Sequence, residues 1–163
     1  MIPPPRANFF DASALVKVFV READGDALRS YWDTRSPTKY TSPFCLYEAL
    51  GVLKVLWMYR KVLTEIEYHR AAEKLVTWFS ATTRNAKDLD LHDPRVLKSA
   101  RELAKHHSLD LSDAFQILCV KEGRYSRLVN RSRTVLVTAD EALAKAARKE
   151  GVKSWYCLGE PEP

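Results

Sequence analysis

The sequence predicts an α/β fold with a mostly parallel central sheet flanked by helices. Short apolar runs rich in β-branched and aromatic residues, Ala7–Phe10 and Thr134–Thr138, alternate with longer segments whose apolar residues recur at helical spacing. No long stretch alternates strictly between apolar and polar residues, as a half-exposed antiparallel sheet would. Each of the two apolar runs is followed within two residues by an acid, Asp11 or Asp140, and then at once by a helical pattern.

Prolines and Asp11 bound Ala7–Phe10, which suits a buried strand that delivers Asp11 at its carboxyl end. A short helix is expected over Ser13–Val20, and after Asp24-Gly25-Asp26 a second over Ala27–Asp33. Lys39–Ser42 is the next strand. Pro43, at a first helical position behind a Ser42 cap, opens a long helix to about Arg60 that carries Phe44, Leu46, Ala49, Leu50, Leu53 and Leu56. Thr64 and Glu67 form a capping box, so residues 43–85 make a helical hairpin within the domain. A further short strand is expected over Asp88–His92. The Asp93-Pro94 pair then starts a helix to about Lys105, and another helix follows Ser112. After the Thr134–Thr138 strand, Glu141–Glu150 is helical and stops at Gly151, and Val152–Leu158 is the last strand. Residues 1–163 make one domain, with flexible tails at 1–6 and 159–163.

A formal charge of +5, 46% hydrophobic and 29% charged residues describe an ordinary globular chain, not a disordered, collagen-like or membrane-spanning one. The longest apolar stretch, Ala49–Tyr59, is broken by Lys54 and falls short of the ~20 residues that cross a bilayer. No apolar run of signal-peptide length follows the start, so a cytoplasmic location without membrane contact is expected. Cys45, Cys119 and Cys157 are far apart and lack metal-ligand spacing, which argues against a zinc site or a disulfide framework. There is no Gly-rich phosphate loop and no Gly-x-Ser-x-Gly turn, His69 sits on a polar helix face, and His106 and His107 are at a helix end.

In a parallel sheet, ligands bind outside the carboxyl ends of the strands. Four acids fall there: Asp11 after the first strand, Glu48 one turn into the long helix, Asp113 at a helix start and Asp140 after the Thr134–Thr138 strand. Converging carboxylates suit hard divalent cations such as Mg²⁺ or Mn²⁺ and metal-assisted phosphodiester hydrolysis. The competing reading is that an Asp at a helix start is only a cap that complements the macrodipole. Asp110 reads as a local cap or solvent-facing acid, and Asp88, Asp90 and Asp93 as cap and surface charge.

The string Phe9-Phe10-Asp11-Ala12-Ser13-Ala14-Leu15-Val16-Lys17, with Glu48 inside Ser42–Ala49, resembles the start of the PIN-domain family, especially its VapC-type toxin ribonuclease branch. Leu111-Ser112-Asp113-Ala114-Phe115 and Val135–Leu143, followed by Ala146-Ala147 and Gly151-Val152, resemble the family's two later acidic motifs. The resemblance spans residues 7 to 158 and rests on four motifs in order. It implies a PIN-like three-layer sandwich in which Asp11, Glu48, Asp113 and Asp140 surround one or two Mg²⁺ or Mn²⁺ ions and cleave RNA. Asp11 and Asp113 are then the principal metal ligands, Glu48 binds metal or orients the attacking water, and Asp140 completes a second or water-mediated shell. Ser13 and Thr138 carry hydroxyls suited to support the ligands, or serve as cap and strand residues.

Lys121, Arg124, Arg127, Arg131 and Arg133 form a basic stretch around Tyr125, expected either to grip RNA phosphates beside the acids or to be a solvated loop. Trp57, Tyr59, Trp78 and Phe79 read as core or dimer-interface residues. The leading expectation is a metal-dependent endoribonuclease, the toxin of a type II toxin–antitoxin pair, working as a homodimer and silenced by a small antitoxin protein. A degenerate PIN-like module that binds RNA or protein without cutting is disfavoured because all four acids are present. A phosphoacceptor receiver fold is disfavoured because Asp11 stands alone and Lys153 begins its strand rather than ending it.

Overall fold

The structure is a computed structural model that describes residues 6–34, 38–83, 88–127 and 134–163. Four strands, β1 (Ala7–Phe10), β2 (Lys39–Tyr40), β3 (Thr134–Thr138) and β4 (Lys153–Tyr156), form one sheet in the order β2-β1-β3-β4. Every pairing is parallel; Phe9 stands between Tyr40 and Leu136, and Val137 lies opposite Trp155. Helices α1 (Ala12–Phe19), α2 (Asp26–Thr34), α3 (Pro43–Met58), α4 (Glu65–Thr83), α5 (Pro94–His107), α6 (Leu111–Glu122) and α7 (Glu141–Lys149) flank the sheet, completing the α/β sandwich. Every residue of β1 and β3 is buried, which is why both read in sequence as unbroken apolar runs.

The strand order fixes where a site can form. The chain leaves β1 toward β2 on one side and leaves β3 toward β4 on the other, so the order reverses between neighbours β1 and β3. A crevice opens outside their carboxyl ends at such a reversal. Asp11 follows β1 directly, and Asp140 follows β3 after one residue.

Polar residues start most of the helices by accepting hydrogen bonds from otherwise unpaired N–H groups. Asp11 accepts from Ala14, Ser42 from Cys45, Asp93 from Arg95, Asp110 from Asp113, and Asp140 from Ala142 and Leu143. Pro43 and Pro94 stand in first turns, and Thr64 and Glu67 exchange the two bonds of a capping box. Beneath the helices the core gathers Phe9, Phe10, Leu15, Leu136, Leu143 and Trp155. Trp32 of α2 lies edge-on to Phe10 at 4.7 Å and also meets Phe19 and Trp78, tying α1, α2 and α4 to the sheet. Trp78 and Phe79 thus pack against the core, Trp57 stacks on Tyr68 at 4.7 Å, and Tyr59 is exposed. Cys45, Cys119 and Cys157 are free and buried.

Three expectations need correction. Asp88–His92 is not a strand: Asp88 and Asp90 accept from Leu89 N–H and His92 N–H, and such local side-chain bonds compete with a ladder. The second and last strands are shorter than expected. Thr41 turns its hydroxyl to the Phe10 carbonyl at 2.7 Å and Ser42 becomes a cap, while the chain turns after Tyr156. The carboxyl tail makes contacts of its own with the domain. Trp155 Nε1 donates to the Glu160 carbonyl at 3.0 Å, Tyr156 N–H and Arg148 donate to the Glu160 carboxylate, and Arg6 Nη1 donates to the Pro163 carbonyl at 3.2 Å. Residues 1–5 lie outside the described residues. Among the described residues no helix is long and apolar enough to cross a membrane.

Candidate functional site

Asp11 is built in most tightly. Its Oδ1 accepts Ala14 N–H at 2.7 Å, its Oδ2 accepts the Thr138 hydroxyl at 2.5 Å, and the Ser13 hydroxyl lies 2.8 and 2.9 Å from the two oxygens. Each hydroxyl also accepts a backbone N–H, from Ala139 to Ser13 Oγ and from Asp140 to Thr138 Oγ1, both at 2.9 Å. An ionised carboxylate can only accept, so both hydroxyls donate to Asp11. The three donors favour the carboxylate. Burial outweighs them, and with a smaller push from the Glu48 charge the pKa rises to about 6.

Glu48 approaches from α3, in the second turn after the cap. Its Oε2 accepts the Ser112 hydroxyl at 2.9 Å and the Gln116 amide at 3.3 Å. Asp113 lies one residue beyond Ser112 in the first turn of α6, and no described group donates a hydrogen bond to its carboxylate. Partial burial, then the charges of Asp110, Asp140, Asp11 and Glu48, raise its pKa to about 7. The charges that act on Asp113 most strongly are therefore all acidic, and they come from the far ends of sequence: residues 11, 48 and 140 as well as its own cap. Asp140 is turned to Ala142 N–H at 2.8 Å and Leu143 N–H at 3.1 Å.

Cap and cluster are thus not exclusive readings. Asp11 and Asp140 do both, whereas Asp110 supplies the cap of α6 and leaves Asp113 free of that task. As they stand, no three His, Cys, Asp or Glu side chains among the described residues are close enough to hold one ion together. Asp11 and Asp140 are committed to N–H groups and Glu48 is held by one oxygen, so Asp113 is the carboxylate without a hydrogen-bonded anchor.

The basic stretch lies elsewhere. Helix α6 carries the chain ~14 Å away from Asp113 by its end at Glu122, before Arg124 is reached. The Tyr125 carbonyl accepts the hydroxyl of Thr134, the first residue of β3, at 3.0 Å, which puts this segment at the amino edge of the sheet. The acids are at the carboxyl edge. Arg124 and Arg127 therefore do not flank the acids as expected; Arg131 and Arg133 lie outside the described residues.

The family model of the PIN domain matches residues 9–149, a span that contains all four acids. The chain belongs to the PIN-domain family. Among solved structures, the crystal structure of PAE2754 from Pyrobaculum aerophilum superposes with a TM-score of 0.54 at 20% identity, covering 91% of this chain and 89% of that one. At that identity the likeness shows the fold alone. No curated protein matches the chain. Ser112 and Gln116, on the α6 face of the PIN site, escaped the sequence reading. The available signal was a lone glutamine inside the apolar run Ala114–Val120, four residues after Ser112 and so on the same helix face.

Proposed function

We propose that this PIN-domain protein is a metal-dependent endoribonuclease whose centre is Asp11, Glu48, Asp113 and Asp140. The observation that supports it is the set of four carboxylates at the strand-order reversal, where partial burial and then the charges of Asp110, Asp140, Asp11 and Glu48 raise the pKa of Asp113 to about 7. Mutual repulsion of acids brought together from four separate elements is a cost that a purely structural role does not call for. The donor set fits a hard cation, being all carboxylate oxygen. Asp11 and Asp113 would be the principal ligands of one or two Mg²⁺ or Mn²⁺ ions, with Glu48 and Asp140 completing the set, and the bound ions would activate water and neutralise charge on the phosphoryl group.

The chain's own residues prepare that centre. Ser13 and Thr138 hold Asp11 in one orientation, Ser112 and Gln116 hold Glu48, and Asp113 keeps the freedom to turn onto a cation. Separate proton affinities make the site responsive to pH: Asp113 and Asp11 shed their protons near 7 and 6. In this reading the protein is the toxin of a VapC-type toxin–antitoxin pair that acts as a homodimer in the cytoplasm and is silenced by a small antitoxin protein. The test is incubation of purified protein with total cellular RNA and Mn²⁺ or Mg²⁺, with mapping of new 5′ ends. Discrete cuts that vanish with EDTA support the proposal; intact RNA with either metal overturns it.

A further inference from the structure

Gln116 stands in the middle of the apolar face of α6, between Phe115 and Ile117, and is 1% exposed. A primary amide sealed from water is costly unless it is fully hydrogen-bonded, and this one is not. Its nitrogen donates to Glu48 Oε2 and to Ser112 Oγ, both at 3.3 Å, and the Ser112 hydroxyl donates to the same Oε2 at 2.9 Å. Its carbonyl oxygen is buried with no partner. Flipping the amide does not help, because Oε1 would then face the Glu48 carboxylate and both donors would be lost. Methionine would occupy a similar volume without an orphaned oxygen, so packing alone does not account for glutamine here.

The three bonds share one feature: all converge on Oε2 of Glu48 or on the hydroxyl that holds it, and among the described residues none reaches Oε1. We propose that Gln116 and Ser112 are positioning residues that clamp Glu48 by one carboxylate oxygen and leave the other free for a divalent cation or the attacking water. The inference rests on the metal-dependent reading of the site. The clamp sits on a rigid element that also carries Asp113, so a single turn of α6 sets two carboxylates relative to each other. The edge contact of Phe44 with Phe115, 6.1 Å between centroids, joins the same two helices one turn earlier.

Three variants test it: Gln116→Met, Ser112→Ala and, as the conservative control, Ser112→Thr. Melting in EDTA, calorimetric Mn²⁺ affinity, and kcat and KM on a cleavable RNA are measured for each. Gln116→Met should melt at or above the wild-type temperature yet bind Mn²⁺ roughly 10- to 100-fold more weakly and lose kcat with little change in KM. Ser112→Ala should do the same, and Ser112→Thr should recover most of the loss. In a Glu48→Ala background, Gln116→Met should change the remaining Mn²⁺ affinity no further. Wild-type Mn²⁺ affinity and kcat in both Gln116→Met and Ser112→Ala would overturn the clamp, as would an undiminished Gln116→Met effect without Glu48. If Gln116→Met fails to fold, the Ser112→Ala and Ser112→Thr pair decides. Failure of the wild-type protein to bind Mn²⁺ at all would sink the metal reading and the clamp with it.

Discussion

Asp110 and Asp113 stand three residues apart at the start of α6, and Asp113 N–H donates to Asp110 Oδ1 at 2.8 Å. Side chains so spaced have Cβ atoms ~5–6 Å apart. At ~6 Å two like charges repel by about 0.7 kcal/mol in water and about 2.8 kcal/mol at an effective dielectric near 20. That corresponds to roughly half a unit to two units of pKa. Asp110 is exposed, so we take about one unit, toward the lower end of that range. Asparagine caps a helix as well as aspartate, so Asp110→Asn removes this charge while keeping the bond to Asp113 N–H, at the loss of about 0.3–1 kcal/mol of dipole interaction. The Asp113 midpoint should fall from about 7 toward ~6. A cation competes with that proton, so Mn²⁺ affinity should rise about tenfold per pH unit below the midpoint and then level off. Calorimetric Mn²⁺ titrations from pH 5.5 to 8.5 should show the levelling about one unit lower in the variant, with roughly fivefold tighter binding at pH 6 and near-equality at pH 8.5. An unmoved midpoint would refute the electrostatic account. Weaker binding at every pH would show that Asp110 itself holds the cation.

Three further outcomes are expected. Asp11 and Asp113 have folded-state pKa values raised from 3.8, so the folded protein holds their protons more tightly than the unfolded chain and loses stability as pH rises from about 4 to about 6 and 7. For fully buried Asp11 this amounts to about 3 kcal/mol, so melting in EDTA should fall less steeply with pH in Asp11→Asn; a wild-type-to-variant difference constant from pH 4.5 to 8 would count against it. Removing residues 159–163 orphans the indole N–H of Trp155, itself 1% exposed, and should cost about 1–3 kcal/mol, a melting drop of roughly 3–10 °C, whereas an inert tail would leave melting unchanged. Gly51 is exposed inside α3 with nothing near an added Cβ, so Gly51→Ala should raise stability by about 1 kcal/mol, or roughly 2–4 °C; a lower melting temperature would mean that the position serves more than the helix.

The fold was legible because its strands and caps are local. Ala7–Phe10 and Thr134–Thr138 are buried on both faces and so announce themselves as apolar runs, while Pro43 and Pro94 mark their helix starts. What was not legible depends on contacts distant in sequence. Nothing near Gly159 reveals that Glu160 will meet Arg148 and Trp155, and the polar stretch after Lys121 carries no sign that α6 ends at the opposite edge of the sheet from the acids. The four acids could be chosen by their place after strands and at helix starts. Their division of labour could not, because the cap of α6 falling to Asp110 rather than Asp113, and the hold of Gln116 on Glu48, appear only when α3 and α6 are set side by side.

The central claim is that these acids form a metal-dependent centre that cuts RNA, and the cleavage rate of one defined RNA by wild type and by Asp113→Asn across a Mn²⁺ titration tests it most directly. Asparagine keeps the size and half-buried position of Asp113 but is a poor ligand for a hard cation, and no cap is lost because Asp110 provides it. We predict Mn²⁺-dependent cleavage by the wild type and a loss of several orders of magnitude in the variant, with the variant melting no lower in EDTA. Cleavage by Asp113→Asn at the wild-type rate and the same Mn²⁺ dependence would contradict the account.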